Sequence, residues 1–233
     1  MNQQTVLKVF EFAILVFALS LHEAAHAWMA SRLGDPTARM LGRLTLNPMK
    51  HIDPIGTVLI PLAMLFLFPF GFLIGWAKPT PVTTRNFRNL RRDDILTTLA
   101  GPVSNLAAAA GATLLLIVLG RLSAPGAAMV RELAGGIPAL GLNPGNPAVP
   151  IAMILYIAVW LNLILAVFNL IPLPPLDGSH VLRHFLPYKA LRFYDSIGMI
   201  GLILFFFLGA PLIMTFVNPM LAFVNHVLLS FAA

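Results

Sequence analysis

Long apolar stretches separated by short polar segments dominate this chain. A helix that crosses a hydrocarbon core of about 30 Å needs roughly 20 predominantly apolar residues, at about 1.5 Å per residue. Four stretches reach that length, at residues 6–30, 55–76, 95–119 and 149–170. The pattern therefore predicts several membrane-spanning helices. We interpret the first stretch as a retained span and not as a signal peptide, because its first basic residue comes only at Lys8.

A fifth apolar region covers residues 196–232. It is long enough to cross the membrane once with a long tail, or nearly twice. Gly209-Ala210-Pro211 and Asn218-Pro219 are the predicted breaks within it. With this region included, we expect an all-α polytopic membrane protein with about five to six membrane segments, and residues 1–233 as a single membrane-embedded domain.

The loops between the apolar stretches carry most of the basic residues and two short extended patterns. Residues 39–46 (RMLGRLTL) partly alternate polar and apolar side chains, which predicts a small β element at the membrane surface. Residues 78–84 are a weaker strand candidate, because two prolines would confine them to the edge of a sheet. The Gly- and Pro-rich stretch 120–148 is predicted to be a loop.

The composition excludes most soluble protein classes. Of the 233 residues, 58% are hydrophobic and only 10% are charged, whereas soluble domains carry about 25% charged residues. The net charge of +6 indicates basic loops that face an anionic leaflet, and no pattern points to nucleic acid. The chain has no cysteine, so disulfides, thiol catalysis and thiolate metal sites are excluded. Any metal must be bound by His, Asp or Glu.

Three ionisable residues interrupt the end of the first apolar stretch. His22 and His26 are four residues apart, so on a helix they share one face and can bind a single Zn²⁺. Glu23 follows the first of them and could accept a proton from an attacking water molecule. The alternative is that both histidines merely pack between helices. Ionisable residues inside a membrane are costly and usually functional, which favours the metal site.

A catalytic zinc normally has three protein ligands and one open position. Asp177 is the best-placed third ligand, because it follows the fourth apolar stretch in the sequence FNLIPLPPLDGSH. The prolines in this sequence end a helix, and irregular backbone at membrane depth is tolerated where it lines a cavity. An ordinary aspartate in an interfacial turn is the alternative. Asp53 and Asp195 fit less well, and His180 and His184 are weaker candidates.

Three motifs in this order resemble the site-2 protease family of intramembrane zinc metalloproteases. The chain contains HExxH at His22–His26, Gly-x-x-x-Asn at Gly101–Asn105, and Asn-x-x-Pro followed by Asp-Gly at Asn169–Pro172 and Asp177-Gly178. The resemblance covers residues of about 6–187, the expected catalytic core, and leaves C-terminal helices at about 194–232. It implies that His22, His26 and Asp177 bind one zinc ion, that Glu23 is the catalytic acid/base, and that Asn169 assists at the substrate carbonyl. No PDZ or CBS domain is expected. For Asn105, a substrate contact and an ordinary interhelical hydrogen bond remain equally open.

The ligand positions also constrain the topology. His22 and His26 lie near the C-terminal end of the first stretch and Asp177 lies beyond the C-terminal end of the fourth, so these two ends must be on one side of the bilayer. This requires one segment not to cross, and we expect 55–76 to form a re-entrant hairpin with its break at Pro69-Phe70-Gly71. Twelve basic residues then face the cytoplasm and three face outward. The N-terminus is predicted outside and the active site toward the cytoplasm, in a prokaryotic inner membrane.

The sequence thus predicts a zinc metalloprotease that hydrolyses peptide bonds within or next to transmembrane segments of a membrane-protein substrate. A helical substrate must unwind first, and the strand predicted at 39–46 could bind the unwound segment. A membrane zinc transporter that uses the same residues is the alternative, and a scaffold that has lost its active site is a third possibility. The substrate and the oligomeric state stay open.

Overall fold

The computed structural model describes residues 3–67, 75–136, 146–208 and 210–231. Helices α1, α4 and α6 begin and end within five residues of the apolar stretches 6–30, 95–119 and 149–170. Short 3₁₀ or π turns lie at Pro48–Lys50, Pro54–Leu59 and Thr84–Asn86. In chain order the α-helices of this part of the chain are α1 (Gln3–Leu33), α2 (Thr37–Met40), α3 (Ile60–Leu67), α4 (Leu90–Leu122), α5 (Ala124–Ala134), α6 (Ala148–Leu170), α7 (Asp177–Arg183), α8 (Tyr188–Leu208) and α9 (Ala210–Phe231).

Three helices among the described residues are long and apolar enough to cross a membrane. They are Leu90–Leu122, Ala148–Leu170 and Pro211–Phe231, in α4, α6 and α9. The larger number of five to six membrane segments, including a re-entrant hairpin, stays a prediction. The expected hairpin break at Pro69-Phe70-Gly71 lies outside the described residues.

The two ends of the second apolar stretch lie side by side. The N–H of Trp76 donates to the carbonyl of Gly56 at 3.1 Å, and the hydroxyl of Thr57 donates to the carbonyl of Trp76 at 2.7 Å. Asp53 caps the beginning of the stretch, because its carboxylate accepts hydrogen bonds from the N–H groups of Ile55 and Gly56. The chain therefore returns at Trp76 to the place it left at Gly56.

The predicted β element is wrong, because the described residues contain no strand. Within 39–46, the first two residues belong to α2, and Gly42 then takes a φ of 68° in a turn. Residues 78–83 run without regular secondary structure. The buried Arg43 donates from its Nη2 atom to the carbonyls of Lys78 at 2.8 Å and Pro79 at 2.9 Å. A side chain thus occupies the backbone acceptors that a β-ladder would use.

Two helices also differ from the expectation. Residues Ala124–Ala134 form α5 inside the stretch predicted to be a loop, and Ser123 caps it by accepting a hydrogen bond from the N–H of Gly126. Helix α9 continues through Pro219, where we expected a break. A proline inside a helix removes one hydrogen bond, but buried packing of Val217 and Leu228 lies on either side of it. Gly209 lies outside the described residues.

Helix α4 has different neighbours along its length. Its later part packs into an apolar cluster with α5, α6 and α9, which includes Ala109, Ala112, Leu116, Met129, Val130, Val159, Leu163, Val217 and Leu228. A smaller apolar cluster joins α1 to α6 through Leu15, Leu19, Leu161 and Leu165. The earlier part of α4 faces the histidines of α1, as described below.

The end of α1 is fixed by a glycine and a buried carboxylate. Gly34 has a φ of 113°, which side-chain-bearing residues rarely adopt, and it terminates the helix. Asp35 follows and is fully buried. Its carboxylate accepts hydrogen bonds from the N–H groups of Thr37 and Thr83 and from the side-chain amide of Asn86. These bonds attach the end of α1 to the segment that leads into α4.

Candidate metal centre

The second half of α1 and the first residue of α7 bring together three side chains that can bind a metal. The Nε2 atoms of His22 and His26 lie 3.0 Å apart. Asp177 Oδ2 lies 3.0 Å from His22 Nε2 and 3.4 Å from His26 Nε2. Both histidines are buried, and the Asp177 side chain is 20% exposed. The three residues predicted as zinc ligands therefore form one group whose ligand atoms lie within 4.8 Å of one another.

Local structure places each of these side chains. The four-residue spacing puts both imidazoles on the same face of α1, one turn apart. The prolines after α6 prevent that helix from continuing, and Asp177 starts α7 as its first residue. The helical and irregular parts of the chain thus meet at Asp177, as the sequence predicts.

Gly101 of α4 forms the wall behind the two imidazoles. A Cβ atom at this position would lie 2.4 Å from His26 Nε2 and 2.6 Å from His22 Nε2. No real Cβ contact is that short, so a larger residue would displace the histidines. The glycine of the Gly-x-x-x-Asn element therefore has no side chain to keep α4 away, and the helix can approach the two imidazoles closely.

The outer nitrogens of the two imidazoles are held by α4. His22 Nδ1 lies 2.6 Å from Asn105 Oδ1, and His26 Nδ1 lies 2.8 Å from the carbonyl oxygen of Thr97. Thr97, Gly101 and Asn105 are spaced four residues apart, so they form one stripe along α4. A carbonyl oxygen has two lone pairs, so the Thr97 carbonyl can accept from His26 while it also takes part in its own helix.

These partners decide where the protons are. The Thr97 carbonyl only accepts, so His26 Nδ1 must carry the hydrogen, and the same holds for His22 Nδ1 opposite an amide oxygen. Both Nε2 atoms then point bare lone pairs at Asp177 Oδ2, which has no hydrogen-bond partner among the described residues. Three converging acceptors repel one another unless a cation or an added proton lies between them. Two neutral imidazoles and a carboxylate match the protein ligands of a catalytic zinc, so the residues fit Zn²⁺.

Glu23 lies beside this group and contacts the irregular segment before α4. Its Oε2 atom accepts a hydrogen bond from the N–H of Thr80 at 2.6 Å, and the Thr80 hydroxyl donates to the carbonyl of Glu23 at 2.9 Å. Glu23 is half-buried and is not part of the three-residue group. The carboxylate therefore remains available for proton transfer, and its orientation is fixed by a backbone amide.

The remaining candidates fall outside the hydrogen-bonded group. Asn169 is half-buried, and its side-chain amide donates to the carbonyl of Leu165 in its own helix, at 2.9 Å. His184 Nε2 forms a hydrogen bond with Asp94 Oδ2 at 2.7 Å, which attaches the end of α7 to the first turns of α4. His180 is exposed. A role for Asn169 at the substrate carbonyl stays a prediction, and His184 has a structural partner instead.

Sequence reasoning missed three contacts of the site. Thr97 acts through its backbone carbonyl and Thr80 through its backbone N–H, and neither function leaves a signal in the residue type. Asn162 does have a signal, because it is an amide in the middle of an apolar stretch, where polar residues are usually functional. Its side chain contacts Asn105. For Asn105 the structure favours the interhelical hydrogen bond over a direct substrate contact.

Comparison with known proteins agrees with this geometry. The family model described as peptidase family M50 matches residues 10–208, which confirms the resemblance to site-2 proteases. The Bacillus subtilis (strain 168) protein named "Putative zinc metalloprotease YwhC" is 39% identical over 175 residues, which cover 74% of this chain and 67% of that protein.

Two mycobacterial relatives share a name, "Putative zinc metalloprotease Rip2". The Mycolicibacterium smegmatis protein is 31% identical over 72% of this chain and 54% of its own length. The Mycobacterium tuberculosis (strain H37Rv) protein is 33% identical over 71% of this chain and 53% of its own length. The chain thus spans about half the length of these two relatives. No solved structure matches it.

Proposed function

This chain belongs to peptidase family M50, and from that premise we propose that it is a zinc metalloprotease that cuts peptide bonds within or next to the transmembrane segments of membrane proteins. The observation that supports the proposal most is the convergence of two imidazole nitrogens and a carboxylate oxygen at one point, with a second carboxylate beside them. His22, His26 and Asp177 supply the converging atoms and Glu23 supplies the second carboxylate. The same residues would serve a zinc transporter, but the comparisons give no support to that alternative.

The proposed roles follow from the chemistry of each residue. His22, His26 and Asp177 would hold one Zn²⁺, which when bound supplies Lewis-acid chemistry that activates water and polarises a carbonyl. Glu23 takes the proton of the attacking water and gives it to the leaving amine. Asn169 is proposed to donate a hydrogen bond to the oxyanion, for which its amide has a second hydrogen beside the one given to Leu165.

The surroundings of the site support a substrate that lies in the membrane. The ligand residues follow or end long apolar helices, and α4 and α6, which are long enough to span, form part of the site. The hydrogen bonds of Gly56 and Thr57 with Trp76 support the re-entrant arrangement, because they place both ends of the second apolar stretch together. A cytoplasmic orientation of the site then follows from the positive-inside rule.

Replacement of the proposed general base tests the reaction. Glu23→Gln should lower cleavage of a tagged model transmembrane substrate by about 10²–10⁴-fold, the usual contribution of general acid–base catalysis. Zinc content of the detergent-purified protein should not change, because Glu23 is not a proposed ligand. Glu11→Gln is the matched control, since it makes the same change three turns earlier in α1 and should cleave normally. Wild-type cleavage by Glu23→Gln would exclude this mechanism, and zinc loss would make Glu23 a ligand.

Thiol labelling tests the proposed topology. The chain has no cysteine, so single cysteines can be introduced at Lys50, Lys78, Arg121 and Arg192. A membrane-impermeant thiol reagent on intact cells should label the Arg121 position alone, and the other three should react only after permeabilisation. Opposite accessibility of Lys50 and Lys78 would show that residues 55–76 cross the bilayer, which contradicts the hairpin.

A further inference from the structure

Two buried asparagines form a chain of hydrogen bonds that starts in α6 and ends at His22. Asn162 of α6 donates from Nδ2 to the carbonyl of Ala158 at 2.8 Å, and its Oδ1 accepts from Asn105 Nδ2 at 2.8 Å. Asn105 Oδ1 lies 2.6 Å from His22 Nδ1. We propose that Asn162 is a positioning residue of the metal centre, which fixes the orientation of the Asn105 amide and through it the tautomer of His22.

The direction of this chain is fixed at its far end. The Ala158 carbonyl can only accept a hydrogen bond, so Asn162 must turn its NH₂ group toward it and its oxygen toward Asn105. Asn105 must then present its NH₂ group to Asn162, which leaves its oxygen for His22. The orientation of the Asn162 amide thus determines that of the Asn105 amide, and His22 Nδ1 has to donate to the Asn105 oxygen.

The orientation of Asn105 decides whether His22 can bind a metal. If the amide of Asn105 rotated by 180°, its NH₂ group would face His22 Nδ1. That nitrogen would then accept, and the proton would move to Nε2, where it blocks the ligand position. The carbonyl of Ala18 also favours the productive orientation, but the distance of 3.4 Å from Asn105 Nδ2 makes it the weaker partner. Asn162, at 2.8 Å, is therefore the main restraint.

Only His22 needs a partner whose orientation is fixed by a further residue, because the partner of His26 is a backbone group. His26 Nδ1 donates to the carbonyl of Thr97, which belongs to the backbone and cannot rotate. His22 instead has a side-chain amide as its partner, and an amide has two orientations of similar shape. Asn105 is fully buried and Asn162 is 4% exposed, so water has little access to satisfy the wrong orientation. Asn162 gives Asn105 the definite polarity that the backbone gives to the partner of His26.

Zinc affinity measures this effect without any need for cleavage. The inference rests on the proposed metal centre, but its readout is the dissociation constant of zinc, measured by competition with a chromogenic chelator in detergent-purified protein. Asn162→Leu should weaken zinc binding by about 10–100-fold, the usual effect of losing an outer hydrogen bond to a ligand. Asn162→Asp should restore most of the affinity, because one carboxyl oxygen can accept from Asn105 while the other, protonated, donates to Ala158.

A matched control separates positioning from general loss of a buried hydrogen bond. Thr113 lies on α4 two turns beyond Asn105, is buried, and donates to the carbonyl of Ala109 in its own helix. Thr113→Val removes that bond without touching the site and should leave zinc affinity within about twofold of wild type, the range expected for an independent site. Equal zinc affinity in Asn162→Leu and wild type would overturn the proposal. Equal weakening in Asn162→Leu and Thr113→Val would overturn it too.

The tautomer can also be read directly in the wild-type protein, which removes any dependence on folding of the variants. Nitrogen-15 NMR of histidine-labelled, zinc-free protein at alkaline pH should show His22 with its proton on Nδ1, the signal being assigned by its loss in His22→Gln. A proton on Nε2 would overturn the proposal. Zinc affinities that follow the expected order in a protein that cleaves no substrate would keep this inference and reject the protease. Normal cleavage by variants whose zinc affinities are unchanged would keep the protease and reject this inference.

Discussion

The two halves of α4 perform different tasks with different chemistry. The first half faces α1 with Thr97, Gly101 and Asn105. The Thr97 carbonyl and the Asn105 amide form hydrogen bonds with the imidazoles, and Gly101 leaves room for them because it has no side chain. The second half faces α5, α6 and α9 with Ala109, Ala112 and Leu116, which make apolar contacts alone within this cluster. The first half therefore depends on which groups donate and which accept hydrogen bonds, and the second half depends on how well its side chains fill the apolar cluster.

The difference explains how one helix can be both exact at the site and tolerant elsewhere. A hydrogen bond to a ligand has a donor and an acceptor, so a reversed amide or an added methyl group changes the chemistry of the site. Apolar contacts have no direction, and a change in volume alters stability while leaving the ligand atoms in place. Substitutions in the two halves should therefore affect different measurements.

The largest effect is expected from a single methyl group in the first half. Gly101→Ala should abolish measurable zinc binding, because its Cβ would lie 2.4 Å from His26 Nε2. Gly111→Ala is the matched control, since Gly111 is exposed on the same helix and an added Cβ meets nothing within 4 Å. Gly111→Ala should bind zinc normally, and the alanine should stabilise the helix by about 0.5–1 kcal/mol. Zinc content and thermal unfolding of both variants check this, and zinc-replete Gly101→Ala would refute the assignment of the site.

Removal of the proposed carboxylate ligand should have the second-largest effect. Asp177→Ala should weaken zinc binding by more than about 100-fold, since it removes a ligand and not merely an outer hydrogen bond. Asp177→Asn should weaken it less, because the amide oxygen keeps the shape but is a poorer ligand. Asp195→Ala is the control, as it removes only a surface ion pair with Arg183 at 3.0 Å. Unchanged zinc affinity in Asp177→Ala would point to a different third ligand, and His180 would be examined first.

The second half of α4 should respond in stability alone. Leu116→Ala would leave a cavity in the apolar cluster and should lower the unfolding free energy by about 2–5 kcal/mol, with zinc affinity close to that of wild type. Leu115→Ala makes the same change next to it, but Leu115 is 54% exposed and the effect should be small. Thermal unfolding and zinc titration of the pair measure both quantities. A clear loss of zinc affinity in folded Leu116→Ala would contradict this and show that the two halves are coupled.

The smallest effect concerns a hydrogen-bonded carboxylate away from the metal centre. Burial raises the pKa of Asp35, but hydrogen bonds from Thr37, Asn86 and Thr83 outweigh it and hold this pKa below its ordinary value of 3.8. A lowered folded-state pKa stabilises the protein above the unfolded pKa, and the stabilisation is lost as the pH falls through the folded pKa. The stability difference between wild type and Asp35→Asn should thus be largest near pH 7 and should shrink below about pH 4. A difference that stays constant with pH would show that the carboxylate charge contributes nothing.

The apolar stretches and the three residues that converge at the candidate metal centre could be predicted from the sequence, because each has a strong local cause. Hydrophobic runs gave α1, α4 and α6 within a few residues, since span length follows from bilayer thickness. The spacing of His22 and His26 and the position of Asp177 follow from the geometry of a helix and of a zinc ligand set. Contacts between distant segments bring these three residues together, but their residue types can be recognised without knowing those contacts.

Other features depend on tertiary contacts that have no local pattern. Residues 39–46 alternate like a strand, yet Arg43 uses its guanidinium on the carbonyls of Lys78 and Pro79, far along the chain. Helix α5 forms in a stretch whose prolines and glycines favoured a loop, because Met129 and Val130 pack into the apolar cluster with α4 and α6; the Ser123 cap is its one local signal. Pro219 remains within α9 because the helix packs on both sides of it. In each case packing or a distant hydrogen bond outweighed the local preference.

The hydrogen bond from Thr80 to Glu23 also limits how the chain around it can change in length. Thr80 stands between Pro79 and Pro81, and neither proline has an N–H group to donate. If the segment slid by one residue in either direction, a proline would face Glu23 Oε2 and the carboxylate would lose its donor. The segment therefore has a single register against α1. An inserted or deleted residue between Arg43 and Thr80 therefore has to be absorbed before Lys78 and cannot be passed on to the Glu23 carboxylate.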